Sequence, residues 1–212
     1  MLFLSVSATL VSAQSLVFNE WMTKNSTVIA DEDGDHPDWI ELFNGTSFPI
    51  DLNGYGLTDD EAEPFKWVFP SVIIPEQGFL LIFCSDKDRF SGPFLHTNFK
   101  LSSSDQLLLT NPSGLTIDQK ELHRLSYDIS EGFIVDGMGE TKEFYGSTPG
   151  VSNLNGIIHN ELISSHLSGF YNQQFNLLVT GSEAHGVHYT TNGSIPAQND
   201  PVWTGSLLID DR

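Results

Sequence analysis

Short apolar runs separated by turn-forming residues set the pattern of this chain. Helical spacing of apolar positions is almost absent, while runs rich in Val, Ile, Phe, Tyr and Trp recur between Asn44-Gly45, Asn53-Gly54, Pro112-Ser113-Gly114 and Asn192-Gly193. The pattern predicts an all-β chain built as a β-sandwich. Strands are expected at 16–22, 38–43, 55–58, 66–69, 78–84, 106–110 and 115–119, close enough for one antiparallel domain. Within 38–43, Ile40 and Leu42 share one face while Trp39, Glu41 and Phe43 share the other. The second face is therefore amphipathic rather than purely wet.

From Gly146 to Gly150, and again at Asn155-Gly156, turn formers replace the strand pattern. A domain boundary is expected there, with a first domain at 14–150, a linker at 151–160 and a second, small β-sandwich module at 161–212. In that module Phe175, Leu177 and Val179 alternate, Val187 to Thr190 run into the hairpin signal Asn192-Gly193, and Leu207-Leu208-Ile209 supply a last strand. About 55 residues make a small core. The module is expected to lean on its neighbour or on residues beyond Arg212.

The N-terminus, apolar from Leu2 and closing on Val11, Ser12 and Ala13, reads as a signal peptide over 1–13. No Lys or Arg precedes Leu2, so the expectation is a truncated leader or an internal Met1. No later stretch approaches the roughly 18 apolar residues of a membrane span, so no membrane insertion is expected. The 28 acidic residues against 9 basic ones give a net charge of -19, which opposes nucleic acid and anionic lipid. Divalent cations or basic partners suit that charge better. Cys84 is the one cysteine, so no internal disulfide forms; inside Phe79-Leu80-Leu81-Ile82-Phe83 it reads as a small buried side chain. Export without disulfides is expected to mean a bacterial envelope or exterior. Asn25-Ser26-Thr27, Asn44-Gly45-Thr46 and Asn192-Gly193-Ser194 match the glycosylation tripeptide, which matters in a eukaryotic host.

The densest chemistry is Asp31-Glu32-Asp33-Gly34-Asp35-His36-Pro37-Asp38. Hard oxygens at alternate positions suit Ca²⁺, with Asp31, Asp33, Asp35 and Asp38 as candidate ligands. The EF-hand pattern fails, because the glycine comes early and Leu42 stands where the closing Glu belongs. The alternative is a solvated acidic turn whose carboxylates cap backbone amides. Asp59-Asp60-Glu61 with Glu63 carries the same choice more weakly. Strand pairing could bring Glu20, Asp38 and Glu41 together as an acid and base for glycoside cleavage, a pairing that sequence cannot verify. His185 and His188, three apart, fall on opposite faces of a strand and do not share a metal. Neither a Gly-x-Ser-x-Gly elbow nor a phosphate loop occurs, and the serines lack a local base. Trp21, Trp39, Trp67, Phe69 and Trp203 are core candidates or sugar-stacking platforms, with Trp203 and Tyr171 the best ligand-binding candidates in their loop-rich module.

Several of these segments fall in a familiar order. Val17-Phe18-Asn19-Glu20-Trp21-Met22, Asp38-Trp39-Ile40-Glu41-Leu42-Phe43-Asn44 and Asp51-Leu52-Asn53-Gly54-Tyr55-Gly56-Leu57-Thr58-Asp59 are followed by Trp67-Val68-Phe69-Pro70, Gly78-Phe79-Leu80-Leu81 and His96-Thr97-Asn98-Phe99-Lys100-Leu101-Ser102. With Thr148-Pro149-Gly150 as exit, this resembles the lamin tail domain in its bacterial, secreted form, which implies an immunoglobulin-like β-sandwich. The second module resembles the C-terminal domain of chitobiase and β-hexosaminidase, through Ser168-Gly169-Phe170-Tyr171, Phe175-Asn176-Leu177, Tyr189-Thr190-Thr191-Asn192-Gly193-Ser194-Ile195-Pro196 and Trp203-Thr204-Gly205. Asn192 replaces a usual Asp and Trp203 a common Tyr; neither harms a turn. That module accompanies glycosidases without supplying their catalytic carboxylates.

Together these readings predict a non-catalytic, secreted or cell-surface pair of binding, adhesion or spacer modules, with Ca²⁺ as the one cofactor considered. The expected partner is a protein or polysaccharide at the cell surface. The alternative is a carbohydrate-binding accessory region of an enzyme, spore-coat kinase-like or hydrolase, whose catalytic domain lies beyond Arg212.

Overall fold

β-branched and aromatic residues in alternation favour the extended chain, and here two such runs pair first with each other. Strand β1 (Leu16–Met22) lies antiparallel to β2 (Asp38–Asn44), and both are buried on both faces. The computed structural model describes residues 16–158, 163–167, 169–180, 188–194, 196–197 and 199–210. The expected leader over 1–13, and Ser168, His185, Val187 and Ile195, lie outside the described residues.

Short strands β3 (Ile50–Asp51), β4 (Gly56–Thr58), β5 (Trp67–Val68) and β6 (Ile73–Ile74) follow. They lead to β7 (Phe79–Cys84), β8 (Leu95–His96), β9 (Gln106–Thr110) and β10 (Thr116–Glu121). A hairpin of β11 (Ser130–Val135) and β12 (Met138–Gly146) comes next, then a 3-10 turn at Asn153–Asn155 and β13 (Ile157–Ile158). The larger sheet runs β13-β12-β11-β1-β2-β7-β8 and the smaller one β10-β9-β4-β5. Every pairing in them is antiparallel except β7 with β8.

Side chains from both sheets fill one core. Leu16, Phe18 and Trp21 of β1 meet Ile40, Leu42, Leu57, Trp67, Ile82, Leu107 and Leu109 there. Strict alternation would put Phe18 and Trp21 on opposite faces; a register shift between Phe18 and Glu20 admits both to the core. Cys84 is buried in the same cluster. The other face of the large sheet is not wet. Trp39, Met22 and Phe83 cluster at one end and Val17, Phe43 and Phe133 at the other, while the alternate residue between Trp39 and Phe43, Glu41, is fully buried.

The chain divides after His159 into two compact units. The stretch expected as a linker from 151 folds instead onto the first unit: Val151 N donates to Thr148 O at 3.0 Å, and β13 pairs with β12. Two long strands, β11 and β12, were not expected. β12 reads Met-Gly-Glu-Thr-Lys-Glu-Phe-Tyr-Gly, with Phe144 its one buried side chain, so it carries no apolar alternation. Their turn, Asp136-Gly137 with Gly137 at φ +71°, is a hairpin signal that the sequence does offer.

Among its described residues the second unit holds two small antiparallel pairs. β14 (Ile163–Ser164) pairs with β16 (Val179–Thr180), and β15 (Phe175–Leu177) pairs with β17 (Leu207–Ile209). The strand expected over Val187 to Thr190 begins outside the described residues, and among those described a bridge joins His188 to Val202.

Candidate functional sites: two acidic clusters and an aromatic cleft

The acidic loop closes on itself before it meets anything else. Asp31 Oδ1 accepts from the backbone N–H groups of Asp33 and Asp35, both at 3.0 Å, and Asp31 N donates to Asp35 O at 2.8 Å. Gly34, at φ +84°, supplies the left-handed residue that this turn needs. Carboxylates of Asp31, Asp33 and Asp35 are thereby aimed at one point, their ligand atoms within 4.8 Å of one another.

The Lys87 ammonium fills that point. Its Nζ stands 2.5 Å from Asp31 Oδ2, 2.7 Å from Asp33 Oδ2 and 2.8 Å from Asp35 Oδ2. Arg89 adds a fork, 2.5 Å from Glu32 Oε1 and 2.7 Å from Asp33 Oδ2. Arg89 and Lys87 hold the Asp33 carboxyl down at about 2. The Glu32 carboxyl is also held at about 2, by its own backbone N–H and then by His96 and Arg89. For Asp31 burial acts upward, but Lys87 and the loop amides outweigh it and the net direction is down. Asp38 is not one of the converging three. It opens β2, accepts from Asn25 N at 3.3 Å, and burial lifts its carboxyl to about 6. With Asp35, Ser85, Lys87 and Lys100 it lines a cleft of about 350 Å³.

Beside this loop, Ser85 Oγ lies 2.9 Å from His96 Nδ1, and His96 Nε2 lies 3.0 Å from Glu32 Oε2. Ser85 thus has a base that no local spacing announces. His96 is fully buried and stacked on Phe83, so the chain of bonds ties the acidic loop to β8 and the end of β7. In the weaker acidic group, Lys66 pairs with Asp59 at 2.7 Å, while Asp60 Oδ1 accepts from Ala62 N at 2.9 Å as a turn cap.

A second cluster of carboxylates lies inside. The register of β1 and β2 sets Glu20 opposite Glu41, and both are fully buried. Glu20 accepts from Ser130 Oγ at 2.5 Å and from Thr148 through its N and Oγ1 at 3.0 and 2.8 Å. Glu41 accepts from Asn19 Nδ2 at 3.0 Å and Gly150 N at 2.5 Å. Asp136, in the β11–β12 turn, accepts from Asn19 Nδ2, Asn153 N and Ser152 Oγ at 3.1, 2.9 and 2.5 Å. Burial pushes the Glu41 carboxyl up to about 8 and raises Glu20, and no cation is among the leading influences on either. The sequence offers Glu20, Asp38 and Glu41 as an acid–base set. Asp38 lies elsewhere, and the two glutamates clasp the chain's own Thr148–Gly150 turn, so the arrangement anchors a segment rather than facing a substrate.

In the second unit His166 stacks on Phe175 at 3.9 Å and Tyr171 leans on Phe175 at 4.7 Å. The Tyr171 hydroxyl donates to Leu167 O, which fixes the ring. These rings line a cleft of about 410 Å³ with Leu167, Leu177 and Ile209, and Phe170 stands fully exposed nearby in sequence. Trp203 belongs to a different group, edge-on to Tyr189 at 5.7 Å and half-buried. Trp21, Trp39 and Trp67 are each at most 2% exposed, so all three are core residues.

Two antiparallel-dominated sheets around one core define the first unit as an immunoglobulin-like β-sandwich. The family model for the lamin tail domain matches residues 12–123, more than half of the chain, and the chain belongs to that family. The match ends before β11, so the hairpin and exit segment that clasp Glu20 and Glu41 lie past it. No curated protein matches the chain.

Proposed function

We propose that this chain is an exported, non-catalytic recognition and spacer pair at the cell surface, in which the lamin tail unit is the rigid body and the second unit presents the ligand face. The observation that carries the reading is the ring cluster of His166, Tyr171 and Phe175 lining an open apolar cleft. Ring faces of that kind stack on the apolar face of a pyranose, and the resemblance to the module that accompanies glycosidases points the same way. The full chain is expected to be retained on insoluble chitin or cellulose and to lose retention with Tyr171→Ala, while Trp203→Ala leaves it unchanged. Flow-through of the unaltered chain on both polymers removes the polysaccharide ligand and leaves a protein partner.

A second reading concerns Ca²⁺. Three carboxylates aimed at one point favour it, and Asp31, Asp33 and Asp35 would be the ligands once Lys87 moved aside. A ligand that binds only the folded chain raises its melting temperature. Equal melting in excess Ca²⁺ and in chelator rules out that clause for the unaltered chain. No helix among the described residues is long and apolar enough to cross a membrane.

A further inference from the structure

The three Asn-x-Ser/Thr tripeptides look alike in sequence, yet the fold treats their amide nitrogens very differently. Transfer of a sugar to asparagine needs a free, reachable Nδ2. That nitrogen attacks the anomeric carbon of a donor sugar; the new C–N bond replaces the C–O bond to a diphosphate, which leaves with the electron pair while one amide proton passes to a base.

Asn25 is 8% exposed, and its Nδ2 donates to Ile29 O at 2.7 Å and Pro37 O at 2.8 Å. Both N–H bonds are taken, and Asn25 Oδ1 accepts from Val28 N at 3.2 Å, so the whole amide braces the loop that leads to the acidic turn. Asn44 is fully buried, with Nδ2 directed at Phe48 O, Ile74 O and Pro75 O at 2.8, 3.0 and 2.9 Å. Replacing an N–H there would leave carbonyls of two loops without a donor.

Asn192 makes the same local turn as Asn44. In both, Oδ1 accepts from the backbone N–H two residues on at 3.0 Å and from that residue's hydroxyl at 2.7 Å, Thr46 in one case and Ser194 in the other. Local geometry therefore does not distinguish them; the other end of the amide does. Asn192 is exposed, its Nδ2 donates to nothing among the described residues, and Gly193 at φ +79° turns the chain away behind it. We propose that Asn192 is an N-glycosylation acceptor of the folded chain, and that Asn25 and Asn44 are structural asparagines closed to the same modification.

The test uses the purified full chain, a soluble N-glycosyltransferase and a nucleotide-linked glucose, read by peptide mass spectrometry. Synthetic peptides spanning each tripeptide report whether the bare sequence is accepted. The expected result is one hexose on the folded chain, at Asn192, with peptides for all three sites modified. Asn192→Gln abolishes transfer and leaves the melting temperature unchanged, whereas Asn44→Gln leaves transfer intact and lowers the melting temperature. Hexose on Asn25 or Asn44 of the folded chain overturns the proposal, as does an unmodified Asn192, whether or not its peptide reacts.

Discussion

The lamin tail unit carries carboxylates in two opposite settings. Around Lys87 and Arg89, four of them crowd a surface loop and are neutralised by cations drawn from the chain 50 or more residues away. Around Asn19, Glu20, Glu41 and Asp136 are gathered inside, where neutral donors do the satisfying: the Asn19 amide, two serines, a threonine and backbone amides. The surface cluster lowers the pKa of Asp31, Glu32 and Asp33, and the interior one raises that of Glu20 and Glu41. Burial without a counter-charge disfavours the ionised form, whereas a guanidinium or ammonium at hydrogen-bond distance favours it. The two clusters therefore respond to pH with opposite signs.

The largest effect is expected at Asn19, the hub of the interior cluster. Its Nδ2 reaches Glu41, Asp136 and Asn153, and its Oδ1 accepts from Gly137 N at 3.0 Å. Asn19→Ala strands several buried polar groups at once, at ~1–3 kcal/mol each, and should lower stability by ~4 kcal/mol in urea unfolding. A loss under ~1 kcal/mol would mean that water or another donor replaces the amide and that the hub is dispensable.

Next comes the pH profile. Because Glu41 is raised to about 8 in the fold from an ordinary 4.5, the folded chain binds the proton more tightly than the unfolded one. Its contribution is fully present below pH 4.5 and is lost as pH rises towards 8, ~3 kcal/mol by neutral pH at ~1.4 kcal/mol per unit. The surface acids run the other way: Glu32 and Asp33, held at about 2, lose their contribution only as pH falls from their ordinary values towards 2. Melting temperature should therefore climb from pH 9 to near pH 5 and fall again below pH 4. Glu41→Gln should flatten the alkaline limb alone. An unchanged limb in that variant would assign the slope to Glu20 and Asp38, the other carboxyls that burial raises.

Lys87→Met tests the surface half of the comparison. Three carboxylates then face one another without their shared cation, and stability should drop by ~1 kcal/mol in low salt and less in high salt. The same variant should gain a Ca²⁺-dependent rise in melting temperature, because the three oxygens keep their backbone-braced aim at one vacated point. If Ca²⁺ leaves that melting temperature unmoved, the loop's geometry depends on Lys87 itself.

What the sequence revealed follows the same division. Alternation exposed the core strands and the amphipathic second face of β2, since each depends on neighbours one or two residues apart. The acidic turn was legible for the same reason: its braces run from Asp31 to Asp33 and Asp35. Its cations were not, because Asp86-Lys87-Asp88-Arg89 reads as one more polar loop until β7 and β8 carry it across to residue 31. Glu20 and Glu41 read as a possible pair, yet their partners at 130, 148 and 150 come from the start of β11 and from the turn past β12, more than 100 residues along the chain. Long-range donors leave no local period to find.

The smallest effect closes the comparison at its outer edge. Asp35 also touches Lys87, at 2.8 Å, but its side chain is 66% exposed while that of Asp31 is fully buried. Water screens the outer pair, and an exposed ion pair contributes under ~0.5 kcal/mol. Asp35→Asn should therefore leave the melting curve almost where it was, while Asp31→Asn keeps an oxygen for the turn but sets an N–H₂ against the Lys87 ammonium in place of the buried carboxylate oxygen, and should cost about 2 kcal/mol. Equal losses from the two would show that charge count rather than burial governs this loop, and the contrast with the interior cluster would then rest on its hydrogen bonds alone.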